Sequence, residues 1–332
     1  MLGVTDNELS ITPDEFVMIR DFIHEKSGIF FAENKMYLVK NRLQKRMTEL
    51  NIKTVRDYFY HVKYDVSLKE FNCLMNLMTT NETSFYRNEP QLTCFADEVA
   101  PKLIEEKTKA PAGQRTIRIW SAGCSTGEEP YTLGILLLEK LNHVHGVTVE
   151  IIANDISEQV LSQARIGKYS GITLRNVAPQ ILARYFDQDG DNYSIKPAVK
   201  SLVKFSQANL NDPRQLASIN NLDVVFCRNV MIYFSDEVKK QLVRSFFNSL
   251  RPGGFLYVGH SETLHGISKA FKLVYFKNAL VYMKESKASE AAGTRKPALT
   301  TTPVARPAGS AKSGALKALD LLSKIKATST TV

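Results

Sequence analysis

The sequence predicts an α/β protein with three parts: a doubly wound, mostly parallel sheet whose last strand is antiparallel, a small all-helical domain ahead of it, and an antiparallel β-subdomain inserted within it. Three observations predict this. Residues 117–141 (IRIWSAGCSTGEEPYTLGILLLEKL) read as a buried strand, a Gly-rich loop and a helix opening near Glu128, which is the first unit of a doubly wound fold. From there to residue 259, short apolar runs alternate with helical patterns. No strand pattern precedes residue 115.

In chain order, Thr12, Pro13, Asp14 and Glu15 make a helix start, with Gly28 as the expected stop after Lys26. A second helix is expected from Asn34, because Met36, Val39, Leu43, Met47 and Leu50 recur at helical spacing. On an adjoining face, Lys35, Arg42, Lys45 and Arg46 fall within an arc of roughly 100° by the 3.6-residue period. Such a face is either a solvated surface or a dock for an acidic partner. Helical patterns at 54–64 and 67–78 complete a domain over residues 1–80. Residues 81–114 read as a linker and a connecting helix at about 90–107, entered through the polar, aromatic and cationic segment TTNETSFYR at 79–87.

The α/β domain is expected over residues 115–284. Its second strand, 149–153, ends in Asn154 and Asp155, and an acid at this place holds ribose hydroxyls in nucleoside-binding folds. Ser157 already serves as N-cap for the helix at 157–165, which leaves Asp155 for function. Residues 167–200 break the alternation with a turn signal from Asp187 to Asn192, and read as the inserted β-subdomain. The third strand, 203–205, leads to Asn209 and Leu210; the fourth, 222–226, leads to CRNVMIYF. Arg228 at the end of a central strand points into the cleft, and a buried arginine needs an anion. A helix at 235–250 and the turn Arg251, Pro252, Gly253, Gly254 precede strand five at 255–259. An antiparallel pair near 273–276 and 279–283 closes the sheet.

The loop at 121–127 defines the ligand class. Gly123 and Gly127 let backbone approach a ligand closely. A phosphate loop would carry Lys and Ser/Thr where this chain has Glu128 and Glu129, and the G-x-G-x-x-G dinucleotide pattern is absent. Two carboxylates at a helix start suit the helix dipole and repel a pyrophosphate. They suit a positively charged ligand such as S-adenosylmethionine, which has a sulfonium, an ammonium and no phosphate; a purely helix-stabilising role for both is the alternative. Five parallel strands closed by an antiparallel hairpin are the Rossmann-like layout of class I S-adenosylmethionine-dependent methyltransferases.

Composition narrows the setting. The 332 residues are 44% hydrophobic, and no apolar run reaches the roughly 18 residues that span a bilayer. The N-terminus is not a signal peptide, so a soluble cytoplasmic protein is expected. Cys73, Cys94, Cys124 and Cys227 are scattered without a C-x-x-C, which fits reduced and mostly buried thiols; His143 and His145 have no ligand partners nearby, so no metal is expected. From residue 284 onward there are nine Lys/Arg against three Asp/Glu, so this region carries +6 of the net +9. Such a basic tail is a solvated linker or a weak hint of an anionic partner. The tail at 285–332 is low in complexity and expected to be disordered, with a short amphipathic helix at 315–326.

Taken together and in order, TTNETSFYR, WSAGCSTGEEPYTL, ANDIS, FCRNVMIYF and GGFLYVGHSETL resemble the bacterial chemotaxis receptor methyltransferases, the protein-glutamate O-methyltransferases, across residues 10–283. The resemblance implies that Asn81, Thr83 and Arg87 contact S-adenosylmethionine and that Glu129 answers its charged methionyl end. Asp155 would hold the ribose, Asn209 and Leu210 would frame the adenine, and Gly123, Arg228 and Asn229 would line the cleft. Arg87, Arg228 and Tyr233 would surround an incoming glutamate carboxylate. The product would be S-adenosylhomocysteine. The basic face of Lys35, Arg42, Lys45 and Arg46 would dock on the helical bundle of a methyl-accepting chemotaxis receptor, in the cytoplasm at receptor arrays, without membrane insertion. Some members hold a receptor peptide on a longer hairpin than Asp187 to Asn192 allows. A nucleic-acid methyltransferase, the first rival reading, often has Asn/Asp-Pro-Pro-aromatic where this chain has Arg228, Asn229, Val230 and Met231. A non-catalytic S-adenosylmethionine sensor, the second, needs no second anion site.

Overall fold

The computed structural model describes residues 10–285. It begins with four helices: α1 (Pro13–Ser27), α2 (Met36–Glu49), α3 (Val55–Lys63) and α4 (Lys69–Met78). At the start of α1, Thr12 Oγ1 accepts from Glu15 N, and the Glu15 carboxylate accepts from Thr12 N, a reciprocal capping box. The helix stops at Gly28, φ 78°, where a Cβ would lie 2.9 Å from Val238 Cγ1 of the α/β domain. On α2, Val39, Leu43 and Met47 are buried, while Met36 and Leu50 pack partly buried on the same core.

A continuous helical stretch follows: α5 (Glu89–Cys94), a π-helical turn (Phe95–Val99) and α6 (Ala100–Lys109). The α/β domain then runs β1 (Thr116–Ala122), α7 (Glu128–Leu141), β2 (Thr148–Asp155) and α8 (Glu158–Ile166). Next come β3 (Lys168–Ser170), β4 (Phe186–Asp189) and β5 (Asn192–Ile195), a separate antiparallel sheet of order β3-β5-β4. Asp189 pairs with Asn192, so only Gly190 and Asp191 connect β4 to β5. The main sheet resumes with β6 (Val203–Gln207), β7 (Leu222–Cys227), β8 (Leu250–Val258), β9 (Lys272–Tyr275) and β10 (Leu280–Met283).

The seven-stranded order is β6-β2-β1-β7-β8-β10-β9, parallel through β8, with β10 antiparallel to both neighbours. The side-chain period of a strand puts a core on each face. Ile117 and Ile119 of β1 face one core with Leu133, Phe226 and Tyr257, while Trp120 and Ala122 face the other. This second core is shared with the helical domain: Phe16, Ile19, Val39 and Leu43 belong to one apolar cluster with Trp120, Val225, Leu242 and Phe246. The helical domain is therefore packed on the sheet and not suspended from a linker.

One expectation needs correction. Arg251, Pro252, Gly253 and Gly254 are not a free turn but a bulged part of β8, where the pairing slips between Leu222/Leu250 and Val224/Phe255. The segment is held extended because Gly253 N donates to Lys284 O, Lys284 N donates to Gly254 O, and Arg251 pairs with Asp223 and Glu106. Cys94, Cys124 and Cys227 are buried and Cys73 is half-buried. Among the described residues no helix is long and apolar enough to cross a membrane, and no cluster of His, Cys, Asp and Glu is set to hold a metal. The expectations for residues 286–332, including the helix at 315–326, lie outside the described residues.

Candidate active site

The carboxyl ends of β1, β2, β6 and β7 open into one cleft of about 1070 Å³, solvent mouth included. The loop after β1 contributes Gly123 and, from the first turn of α7, Glu129; the end of β2 contributes Asp155. Asn209 and Leu210 follow β6, and Arg228, Asn229 and Tyr233 follow β7. Asn81, Thr83 and Arg87 enter from the segment that joins the two domains. All eleven of these residues, singled out in the sequence, thus line one cavity.

The loop after β1 is unsuited to phosphate for a structural reason. Gly123 N and Cys124 N both donate to Asn154 O, at 2.8 and 2.9 Å, and Ser125 N donates to Asp155 Oδ2 at 2.9 Å. A phosphate cradle needs such N–H groups free. Both glycines stand against packed neighbours, and Gly123 also lines the cleft. A Cβ on Gly123 (φ 80°) would sit 2.5 Å from Val230 Cγ2, and one on Gly127 (φ 94°) 2.9 Å from Ala164 Cβ.

The two glutamates separate in role. Glu128 is buried beneath the loop, accepting from Thr126 Oγ1, and only Glu129 reaches the cleft. Glu129 Oε1 accepts from Ser121 Oγ at 2.7 Å and Oε2 from Arg228 Nη1 at 3.2 Å. Burial pushes the Glu129 carboxyl up, with the Arg228 charge opposing. Arg228, whose side chain is 4% exposed, is therefore not an arginine without a counterion: Glu129 supplies the negative charge and Arg87 O a further acceptor for Nη2. Among the described residues its Nε has no hydrogen-bond partner. A guanidinium stays charged in such a setting even though burial lowers its pKa.

Asp155 combines two roles that the sequence had set apart. Its Oδ1 accepts from Ser157 N and its Oδ2 from Ser125 N, so it braces the loop while facing the cleft. Burial pushes its carboxyl up as well. The Asn209 amide is committed to protein, donating to Lys26 O at 2.6 Å and accepting from Asn211 N at 2.9 Å. Arg87 Nη1 donates to Glu82 O at 2.7 Å.

The basic face of α2 is corrected at two of its four positions. Arg46 grips the buried Glu70 with Nε and Nη2, at 3.0 and 2.7 Å, and Glu49 with Nη1. Arg42 donates to Met78 O and Thr80 Oγ1 beside the cleft. Both are bonded to acceptors on α4 or just after it. Lys35 and Lys45 remain exposed.

Sequence reasoning missed the contribution of the helical domain to the cleft: Ser27, Ile29 and Met78 line it. Ile29 forms an antiparallel bridge with Phe234, and Phe30 N donates to Tyr233 O at 2.9 Å. No local pattern marks so short a bridge.

Comparison with known proteins agrees with this architecture. A family model described as CheR methyltransferase, SAM binding domain, matches residues 81–290, and one described as CheR methyltransferase, all-alpha domain, matches residues 14–79. The chain belongs to the CheR methyltransferase family. Chemotaxis protein methyltransferase 2 of Vibrio cholerae is 36% identical over 282 residues, covering 85% of this chain and 96% of its own length. Chemotaxis protein methyltransferase 1 of Pseudomonas aeruginosa is 37% identical over 280 residues, covering 82% and 99%. The chemotaxis protein methyltransferase of Escherichia coli is 31% identical over 277 residues, covering 82% and 92%.

As a member of this family the chain is a methyltransferase, and its cofactor is S-adenosylmethionine. The cleft fits that group: it offers carboxylates to a cation and to hydroxyls, and its loop N–H groups are closed to phosphate.

Proposed function

We propose that this methyltransferase esterifies glutamate side chains of methyl-accepting chemoreceptors, giving glutamate methyl esters and S-adenosylhomocysteine for chemotactic adaptation, in the cytoplasm at receptor arrays. The observation that carries the reading is the pairing of opposite charges in one cleft. Glu129 and Asp155 suit the cofactor, while Arg87, Arg228 and Tyr233 line the same cleft and suit an incoming anion.

The bound cofactor supplies an electrophilic methyl on a sulfonium, and transfer forms the ester C–O bond as the S–CH3 bond breaks. Everything else falls to the chain. A glutamate is already ionised at neutral pH, so no residue has to act as general base. The work is alignment and exclusion of water. In this reading Glu129 holds the ammonium end, Asp155 the ribose, and Leu210 walls the adenine beside the Asn209 backbone. Asn81, Thr83, Gly123 and Asn229 complete the walls. The Arg228 and Arg87 guanidiniums orient the substrate carboxylate, with Tyr233 beside it. Holding that carboxylate too tightly would blunt it as a nucleophile, so orientation and not neutralisation is their task.

Lys35 and Lys45 remain as the exposed basic face for a receptor bundle. The test is methyl transfer from labelled S-adenosylmethionine to receptor-containing membranes, followed by alkali. Label released as methanol is the expected result. Label that survives alkali, or resides on nucleic acid, refutes the proposal.

A further inference from the structure

Glu262 lies outside the cleft lining, in the turn after β8, where Glu262 N donates to Gly259 O. Its carboxylate accepts four backbone N–H groups. Oε2 takes Gly259 N at 2.6 Å and Asn229 N at 2.8 Å; Oε1 takes Val230 N and Ile232 N, both at 3.1 Å. Three of the four donors belong to the loop that leaves β7, whose N–H groups no longer have a strand partner and need another acceptor. Asn229 is held there at φ 60°, a conformation that L residues rarely adopt. Arg228 precedes this gripped stretch and Tyr233 follows it, the latter closing a 3-10 turn through Tyr233 N to Val230 O. Residue 259 has to lack a side chain for the carboxylate to fit: a Cβ there would lie 2.6 Å from Glu262 Oε2 and 2.8 Å from Asn229 N.

We infer that Glu262 is the positioning residue of the catalytic loop, fixing the spacing at which Arg228 and Tyr233 meet the substrate carboxylate. This rests on the reading of those two residues given above. An acceptor-only group is needed because all four partners are donors. An amide would turn its NH2 toward two N–H groups whichever way it faced.

The decisive variant is Glu262→Gln, assayed per folded molecule with membranes of the cells that encode this chain as the substrate. The expected result is a fall in kcat of about a hundredfold, the scale on which a misplacement of ~1 Å acts. The Kd for S-adenosylmethionine by calorimetry should stay within about threefold, less than half of a tenfold step in free energy. A residue that only stabilises the fold would lower the melting temperature and leave kcat per folded molecule unchanged; that result overturns the inference. So does a loss of cofactor affinity in proportion to kcat. Should Glu262→Gln fail to fold, Gly259→Ala carries the test, since it keeps the carboxylate and fills its place. The same split is expected, and an undiminished kcat overturns the inference. Arg228→Ala, run alongside, separates the two levels. If it transfers methyl normally, the substrate-side reading is wrong. If it fails while Glu262→Gln does not, only the positioning role is wrong.

Discussion

Arg46→Ala distinguishes docking from internal structure on α2. Glu70 is buried and has three donors on its carboxylate: Arg46 Nε at 3.0 Å, Arg46 Nη2 at 2.7 Å and Tyr58 Oη at 2.8 Å. The substitution leaves only the tyrosine. Breaking a fully buried ion pair costs roughly 3–5 kcal/mol, because a charge is left without compensation. The Arg46 side chain is 21% exposed, so water can enter where the guanidinium was. That lowers the expected loss to about 2 kcal/mol, near the lower bound for a charge-assisted hydrogen bond left unmade. For a cooperative unit of this size it corresponds to a drop of about 3–4 °C in Tm. Equilibrium urea unfolding followed by circular dichroism measures it, with the receptor KM determined on the folded fraction. A stability change below about 0.5 kcal/mol, the range of an ordinary surface site, together with a raised receptor KM would refute the structural assignment and restore Arg46 to the docking face.

Three further outcomes are expected. Arg228→Ala should abolish methyl transfer far more than cofactor binding when scored per folded molecule; equal losses in both would make Arg228 a cofactor residue. Reversing Lys35 and Lys45 together to Glu should raise the receptor KM at low salt and leave Tm unchanged. The effect should fade as ionic strength approaches 0.15 M, where the Debye length is about 8 Å; no change in KM refutes the docking role. Cofactor affinity should also depend on pH through Glu129. Burial holds this carboxyl above its unfolded value, so protonation favours the folded, ligand-free protein at low pH, and that contribution is lost as pH rises through the folded value. A cationic ligand favours the ionised form. Binding should therefore release a proton and weaken on acidification, with a midpoint above the ordinary value of about 4.3, and Glu129→Gln should flatten the profile in calorimetry.

The parts of this molecule that were legible in the sequence are those written in local chemistry. The capping box at Thr12 and Glu15, the stop at Gly28 and the stripe on α2 depend on residues three to four apart. The strand-loop-helix at 117–141 and the hairpin at Gly190 are equally local, and they placed the sheet and its insertion. Side-chain partners at long range were not legible. Arg42 and Arg46 show the same helical spacing as Lys35 and Lys45, and nothing in that spacing says that Glu70 and Met78 O lie within reach of the two arginines alone. Arg228 lines the cleft, yet its Glu129 partner lies 99 residues earlier. The bulge at 251–254 carries Pro-Gly-Gly, a turn signal, and it is pairing with Lys284 together with the Arg251 ion pairs that keeps it extended.

The backbone of the cleft shows why such distant partners matter. Tyr86, Ser125 and Asn229 all line it, and all have positive φ: 53°, 49° and 60°. Each such residue costs roughly 1–2 kcal/mol relative to a right-handed conformation. In every case the N–H of the strained residue is taken by a side-chain oxygen from another part of the fold: Thr132 Oγ1 for Tyr86, Asp155 Oδ2 for Ser125 and Glu262 Oε2 for Asn229. The acceptors lie 46, 30 and 33 residues away in sequence. A hydrogen bond contributes about 1 kcal/mol net, close to the strain it offsets, so each conformation holds only while its partner is in place. The three loops of the cleft are thus set by the assembled fold and not by their own residues. Asp155 is at once a wall of the cleft and the brace of the loop opposite, because one carboxylate at the end of β2 has oxygens for both. It follows that substitutions at Thr132, Asp155 and Glu262 should act on the cleft through the backbone they hold.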